Sequence, residues 1–191
     1  IYAVEIRDGD KLIEARVSTG DNDILLGTRN GKSIRFSEEQ IRPSGRKTMG
    51  VKGITLSSKD DRLVGMLLIK REGTTVLVAT EKGFGKRTEI SQYRAQKRGG
   101  KGVLTMKTTE KVGKMVTIKE VVDKDDLMII TNQGVLIRQP VSQIRAIGRA
   151  TQGVKLIKLG EGTLVSSITR IMSEEDDGDE NNSAESEGNS E

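Results

Sequence analysis

The chain contains neither cysteine nor histidine. Without thiols there is no disulfide framework and nothing from which to judge a redox compartment. Without imidazoles, neither a zinc cage nor a His-based catalytic triad can be assembled. Aromatic residues make up 2% of the chain, too few for platforms that stack single-stranded bases or for the aromatic anchors of protein-binding surfaces. No apolar run approaches the roughly 18 residues of a membrane span. The opening Ile1-Tyr2-Ala3-Val4-Glu5-Ile6 has neither the basic leader nor the long apolar core of a secretory signal. A soluble chain with no membrane partner is expected.

What is present is charge, unevenly placed. The 191 residues are 31% charged and carry a net charge of +4. Nine of the 28 acidic residues lie in residues 173–191, which hold no Lys or Arg; this leaves 19 acids against 32 bases, a charge of +13, in residues 1–172. A body that basic suits a polyanionic partner. The tail has almost no apolar residues to bury and is expected to be disordered, serving either as a solubilising terminus or as a regulator.

The body repeats itself. Residues Ile24 to Leu56, Val76 to Thr108 and Leu127 to Leu159 align without gaps, at successive offsets of 52 and 51 residues. Identical types recur at Thr28/Thr80/Thr131, Gly31/Gly83/Gly134, Arg35/Arg87/Arg138, Gln40/Gln92/Gln143, Arg42/Arg94/Arg145, Arg46/Arg98/Arg149 and Gly50/Gly102/Gly153. Each repeat opens with a short β-branched run, such as Val76-Leu77-Val78-Ala79, apolar on both faces and too short for a typical helix, which predicts a buried strand. A turn at Gly31, Gly83 or Gly134 follows, with Asn30-Gly31 the pair preferred in a type I′ hairpin. A more polar second strand, an Arg- and Gly-bearing loop, a third strand (Val51 to Leu56 or Val154 to Leu159) and a fourth (from Leu63, Met115 or Leu164) complete the unit. Four strands in about fifty residues is the content of one propeller-like blade. The prolines, Pro43 and Pro140, fall outside the buried runs.

Because Ile1 to Ile6 aligns with Val51 to Leu56, the chain opens in mid-repeat. The expected organisation is the remainder of an upstream blade in 1–23, blades in 24–75, 76–126 and 127–172, and the acidic tail in 173–191. On this reading the chain is the C-terminal piece of a longer array, and three and a half blades do not close a ring. The fold class is all-β, a propeller-like pinwheel of four-stranded blades.

The chemistry concentrates in Gln96-Lys97-Arg98-Gly99-Gly100-Lys101-Gly102 of the middle repeat. Glycine admits positive φ and close approach of another surface, while Lys and Arg supply donors for anionic oxygens. An ordinary basic surface turn has the same composition. The run lacks the Lys-Ser/Thr ending and the strand-to-helix setting of a nucleotide-binding P-loop, and no nucleophile–base pair accompanies it, so no catalytic site is expected within this chain. Stacking of the repeats would line Arg42, Arg94 and Arg145, and Arg46, Arg98 and Arg149, along one edge. Such a stripe touches phosphates rather than base edges, which favours duplex DNA. Arg35, Arg87 and Arg138 read equally as solvated charges on the outer face, and Tyr93, aligned with Ile41 and Ile144, reads as a packing residue.

This heptapeptide resembles the gyrase A-box, the motif of the C-terminal DNA-wrapping domains of DNA gyrase A subunits, with Lys97 where Arg is commoner. Ser91-Gln92-Tyr93-Arg94-Ala95 resembles the usual lead-in, and Gly45 to Val51 and Gly148 to Val154 occupy degenerate box positions. The resemblance covers residues 1 to about 172. It implies a β-pinwheel that wraps double-stranded DNA for a type IIA topoisomerase driving negative supercoiling. The candidate contacts are Gln96, Lys97, Arg98, Gly99, Gly100, Lys101 and Gly102, with Arg94, Arg42, Arg46, Lys47, Arg145 and Arg149. It also implies a bacterial, cytoplasmic, nucleoid-associated setting, and assembly of two A subunits with two gyrase B subunits into an A2B2 heterotetramer. No cofactor is expected in this fragment, ATP and Mg2+ being used elsewhere in the complex. In the family the full box usually sits in the first blade, whereas here one complete repeat follows it. The alternatives are the A-type tail of topoisomerase IV and a propeller-like protein-interaction scaffold.

Overall fold

A computed structural model describes residues 3–70 and 73–172, and the acidic tail lies outside the described residues. Eleven strands run through them: β1 (Asp23–Thr28), β2 (Lys32–Ser37), β3 (Leu63–Ile69), β4 (Thr75–Thr80), β5 (Phe84–Glu89), β6 (Val103–Leu104), β7 (Met115–Val121), β8 (Asp126–Thr131), β9 (Leu136–Pro140), β10 (Val154–Lys155) and β11 (Val165–Ile171). They form three antiparallel sheets, in the orders β3-β1-β2-β6, β10-β5-β4-β7 and β11-β8-β9. Short 3-10 turns at Glu38–Gln40, Ile90–Gln92 and Val141–Gln143 follow β2, β5 and β9.

The apolar strands are apolar on both faces because the sheets are stacked. In β1, Leu25 faces the middle sheet with Val76, Val78, Met106 and Ile118, while Ile24 and Leu26 face the other way with Ile34, Phe36 and Ile54. Strand β4 divides likewise: Val76 and Val78 face the first sheet, and Leu77 and Ala79 face Leu127, Ile129 and Ile144. Buried aliphatic side chains of this kind contribute about 1.5–3 kcal/mol each. Gly27 and Gly65 let the sheets close, since a Cβ at either would stand 3.0 Å or less from the Ile118 side chain.

Two expectations change. The hairpin at Asn30-Gly31 is not type I′: Lys47 is the only described non-glycine residue with positive φ, so of the pair only Gly31, at 85°, takes the left-handed region. Gly31 N donates to Thr28 O at 3.0 Å and Lys32 N to Thr28 Oγ1 at 3.3 Å, a tight turn closed by one left-handed glycine. In the third repeat Val135 N makes the corresponding bond to Thr131 Oγ1 at 3.1 Å, whereas in the second Thr80 Oγ1 donates to Phe84 O at 3.3 Å and to Val112 O at a short distance. The second change is in the third strands, which do not complete their own blades. β6 pairs with β2 of the preceding repeat, Lys32 facing Leu104, and β10 pairs with β5, Phe84 facing Lys155. Each four-stranded sheet is therefore shared between two repeats. Val51 to Leu56, the counterpart in the first repeat, forms no strand, as no described strand lies upstream to receive it.

Candidate nucleic-acid interface

Strand exchange decides where the basic loops sit. Between β5 and β6 the chain leaves the 3-10 turn, buries Tyr93 completely, and crosses to the first sheet before reaching Gln96. Tyr93 is the packing residue expected: its hydroxyl lies 2.6 Å from Thr105 Oγ1, and burial pushes its phenol above the usual range.

From Gln96 onward the loop is pinned to the preceding repeat by its backbone. Gln96 N donates to Arg35 O at 2.8 Å, Gly99 N to Gly53 O at 2.8 Å, and Thr55 N to Gly100 O at 2.8 Å; Thr55 Oγ1 adds a bond to Gly99 O at 2.7 Å. The Gln40 side chain grips the loop on both sides of Lys97, accepting from Arg98 N at 2.8 Å and donating to Gln96 O at 3.3 Å. Gly99 and Gly102 take φ of 82° and 68°. At Gly102 a Cβ would also stand 2.4 Å from Ser33 O, so glycine is required both by conformation and by the closeness of β2.

This scaffold sorts the candidate residues. Lys97 and Lys101 are exposed and make no hydrogen bond or ion pair with the described residues, which leaves both ammonium groups open to solvent. Arg94 is exposed as well. Arg98 is half-buried, and its Nε and Nη1 donate to Gln40 O at 3.1 Å and Lys52 O at 2.7 Å, making it a brace between repeats. The Nε2 of Gln96 is buried without a partner among the described residues.

The following repeat duplicates these anchors on the middle sheet. Ile147 N donates to Arg87 O at 2.9 Å and Lys107 N to Thr151 O at 2.9 Å, Arg149 N to Gln92 Oε1 at 3.4 Å, and Arg149 Nη1 to Leu104 O at 2.9 Å. The Arg149 guanidinium also lies over the Tyr93 ring, 5.9 Å from its centroid. Arg145 is exposed. In the first repeat Arg42, Arg46 and Lys47 are all exposed. Lys47 takes a φ of 62° at the position aligned with Gly99. Glu5 N donates to Thr48 O at 3.1 Å, the counterpart of the Thr55–Gly100 bond. Exposed cations thus recur at one topological position in three successive repeats.

Arg35 and Arg87, on the second strands, are neither solvated nor part of that rim. Arg35 Nε donates to Asp23 Oδ2 at 2.8 Å, and its Nη1 reaches Ile90 O and Tyr93 O at 3.3 and 3.1 Å. Arg87 donates to Ile144 O at 2.6 Å and pairs with Asp123. Each clamps its own sheet to the turn of the next repeat. Arg138 pairs with Asp126 at 2.6 Å and its side chain is 64% exposed, since no described repeat follows to be clamped. The clasping role of Gln40 and Gln92 is not evident from sequence, although their recurrence at every repeat is its visible signal.

The repeat architecture is shared with known proteins. The family model for the DNA gyrase C-terminal domain, a beta-propeller, matches residues 22–70, 74–121 and 125–171. The chain is 48% identical over 175 residues to a DNA gyrase A subunit of Staphylococcus epidermidis, covering 91% of this chain and 20% of that protein. It is 45% identical over 179 residues to one of Staphylococcus aureus, covering 93% and 20%. The chain thus spans about a fifth of the length of these relatives. Among solved structures, the C-terminal domain of a DNA topoisomerase IV superposes with a TM-score of 0.84 at 22% identity, covering 89% of this chain and 53% of that one. A DNA gyrase A C-terminal domain superposes with a TM-score of 0.81 at 23% identity, covering 89% and 57%.

Proposed function

This chain belongs to the DNA gyrase C-terminal domain family, and from that membership and the placement of its cations we propose that it binds and wraps duplex DNA along a rim of loops, as a non-catalytic module of a type IIA topoisomerase. The observation that carries this is the backbone-anchored box loop, which holds the exposed Lys97 and Lys101, unpaired among the described residues, in a loop whose counterparts in the neighbouring repeats also carry exposed cations. Contacts to phosphate bring affinity with little sequence specificity. Bending 20–30 bp costs on the order of 1–6 kcal/mol, and a few charge-assisted contacts at ~1.5–3 kcal/mol each offset it. Gyrase is favoured over topoisomerase IV, because relatives at 45–48% identity are gyrase A subunits whereas the topoisomerase IV likeness rests on fold at 22%. The parent activity on this reading is ATP-dependent negative supercoiling, with the second A subunit of the complex, its B subunits, ATP and Mg2+ engaged outside this chain. A bacterial cytoplasm is the matching setting; among the described residues no helix is long and apolar enough to cross a membrane.

The test is a titration of linear duplex DNA across salt concentrations with the chain and its K97A/K101A variant. Both lysines are exposed and bond to none of the described residues, so the thermal transition should not move. Two lost phosphate contacts should flatten the slope of log K against log salt by about 1.8. Equal affinity and equal slope would reject the assignment of the box loop. Arg98 is left in place, because its removal would also release the brace to Gln40 and Lys52.

A further inference from the structure

Lys86, on β5, is completely buried yet has no carboxylate partner among the described residues. Its Nζ donates to Gly148 O at 2.6 Å, to Arg149 O, and to Thr151 Oγ1 at 3.0 Å, and Thr151 Oγ1 in turn lies 3.0 Å from Gly148 O. These bonds all go to one four-residue stretch of the third repeat's basic loop. The aligned residue beneath the box loop is Ile34, also completely buried, whose Cδ1 would lie 3.5 Å from a Cβ at Gly100. One repeat supports its loop with a methyl group and the next with a cation.

The loops themselves explain the difference. The box uses Gly99 at a φ of 82° to turn its N–H onto Gly53 O. The third repeat has Ala150 and Thr151 where the box has Gly99 and Gly100. Ala150 does not take positive φ, and no described backbone bond replaces that of Gly99. The carbonyls of Gly148 and Arg149 instead both accept from the buried ammonium. We propose that Lys86 is a positioning residue for the third repeat's DNA-facing loop, its buried ammonium doing for residues 148–151 what left-handed glycine does for the box. The proposal rests on the reading of these loops as DNA contacts.

A buried cation without a counter-ion is costly on its own, and the polyanion outside the loop supplies that counter-ion. Arg149, on the loop, is the charged group that acts on Lys86. Strand β4 presents Val78 opposite it, β10 carries Lys155 at the Phe84 pair, and the adjacent Arg87 is committed to Asp123. Burial, with Arg149 adding to it, pushes the Lys86 ammonium down to about 8. Protonated Lys86 favours DNA and bound DNA favours the protonated form, so affinity should fall as pH rises through about 8.

The experiment titrates duplex DNA with the 191-residue chain at about pH 7 and about pH 9, alongside Lys86→Ile, the residue used at the aligned Ile34. The wild type should weaken on raising the pH. Lys86→Ile should bind up to ~8-fold more weakly near 0.1 M salt, the worth of one phosphate contact, with no pH dependence over this range. Adding A150G and T151G to Lys86→Ile, which restores the glycines of the box, should recover binding without restoring the pH dependence. If Lys86→Ile does not fold, Thr151→Val removes one ammonium ligand at an exposed position and should reduce affinity and alter the pH profile. A wild type that does not bind duplex DNA overturns the reading of the loops as DNA contacts. A wild type that binds, with variants that match its affinity and pH profile, overturns the role of Lys86 alone.

Discussion

Gly102 and Gly50 occupy one position in successive repeats and share the left-handed backbone, at φ of 68° and 73°, yet they are constrained differently. A Cβ at Gly102 would meet Ser33 O at 2.4 Å, whereas one at Gly50 would meet nothing within 4 Å. The conformational penalty alone is about 1–2 kcal/mol for an L-residue, and Lys47, at a φ of 62°, shows that this fold carries such a residue. Gly50→Ala should therefore cost about 1–2 kcal/mol by urea unfolding. Gly102→Ala must in addition push β6 away from β2, a strain of order 1–3 kcal/mol, and should cost roughly 2–5 kcal/mol in all. Equal losses would mean that the exchanged strand does not need so close an approach.

At the level of elements, the strands that fill the stacked cores were legible because β1 and β4 are apolar on both faces, a pattern that surface strands do not show. The exchange of β6 and β10 was not legible. Each pairs over two residues only, too short to leave a periodicity, and its partner is fixed by a loop crossing to another repeat. For the same reason Arg35 and Arg87 did not read as clamps: their acceptors are backbone carbonyls of the following repeat, which no side-chain pattern records. Box composition points to the loop on which the proposed interface rests, and the clasp that shapes it leaves no local signal because Gln40 is 58 residues from Arg98. Gln40→Ala should release the loop on both sides of Lys97 and weaken duplex binding several-fold, a loss on the order of one phosphate contact. Gln143 is its counterpart with no described repeat to clasp and is exposed, so Gln143→Ala should bind as the wild type does. A Gln40→Ala chain that matches Gln143→Ala in affinity would rule out the clasp as a determinant of the interface.

Over the whole molecule the decisive quantity is the separation of charge along the chain rather than its net value. A body of +13 in residues 1–172 is joined to nine acidic residues with no base among them, so covalent linkage would give that polyanion a high effective concentration at the rim proposed to bind DNA. Attraction between such a polyanion and the basic body reaches about 30 Å at 0.01 M salt and about 8 Å at 0.15 M. Deleting residues 173–191 should therefore tighten duplex binding most at low salt, by several-fold at ~0.05 M, and the two binding curves should converge as salt rises. The sign separates the two uses that the tail's composition allows. A solubilising terminus would change the concentration at which the chain precipitates while leaving the DNA titrations superimposed at every salt concentration. A competing tail should shift those titrations, and adding K97A/K101A to the truncated chain should shrink the shift, because two of the cations over which the tail and the DNA compete would be gone.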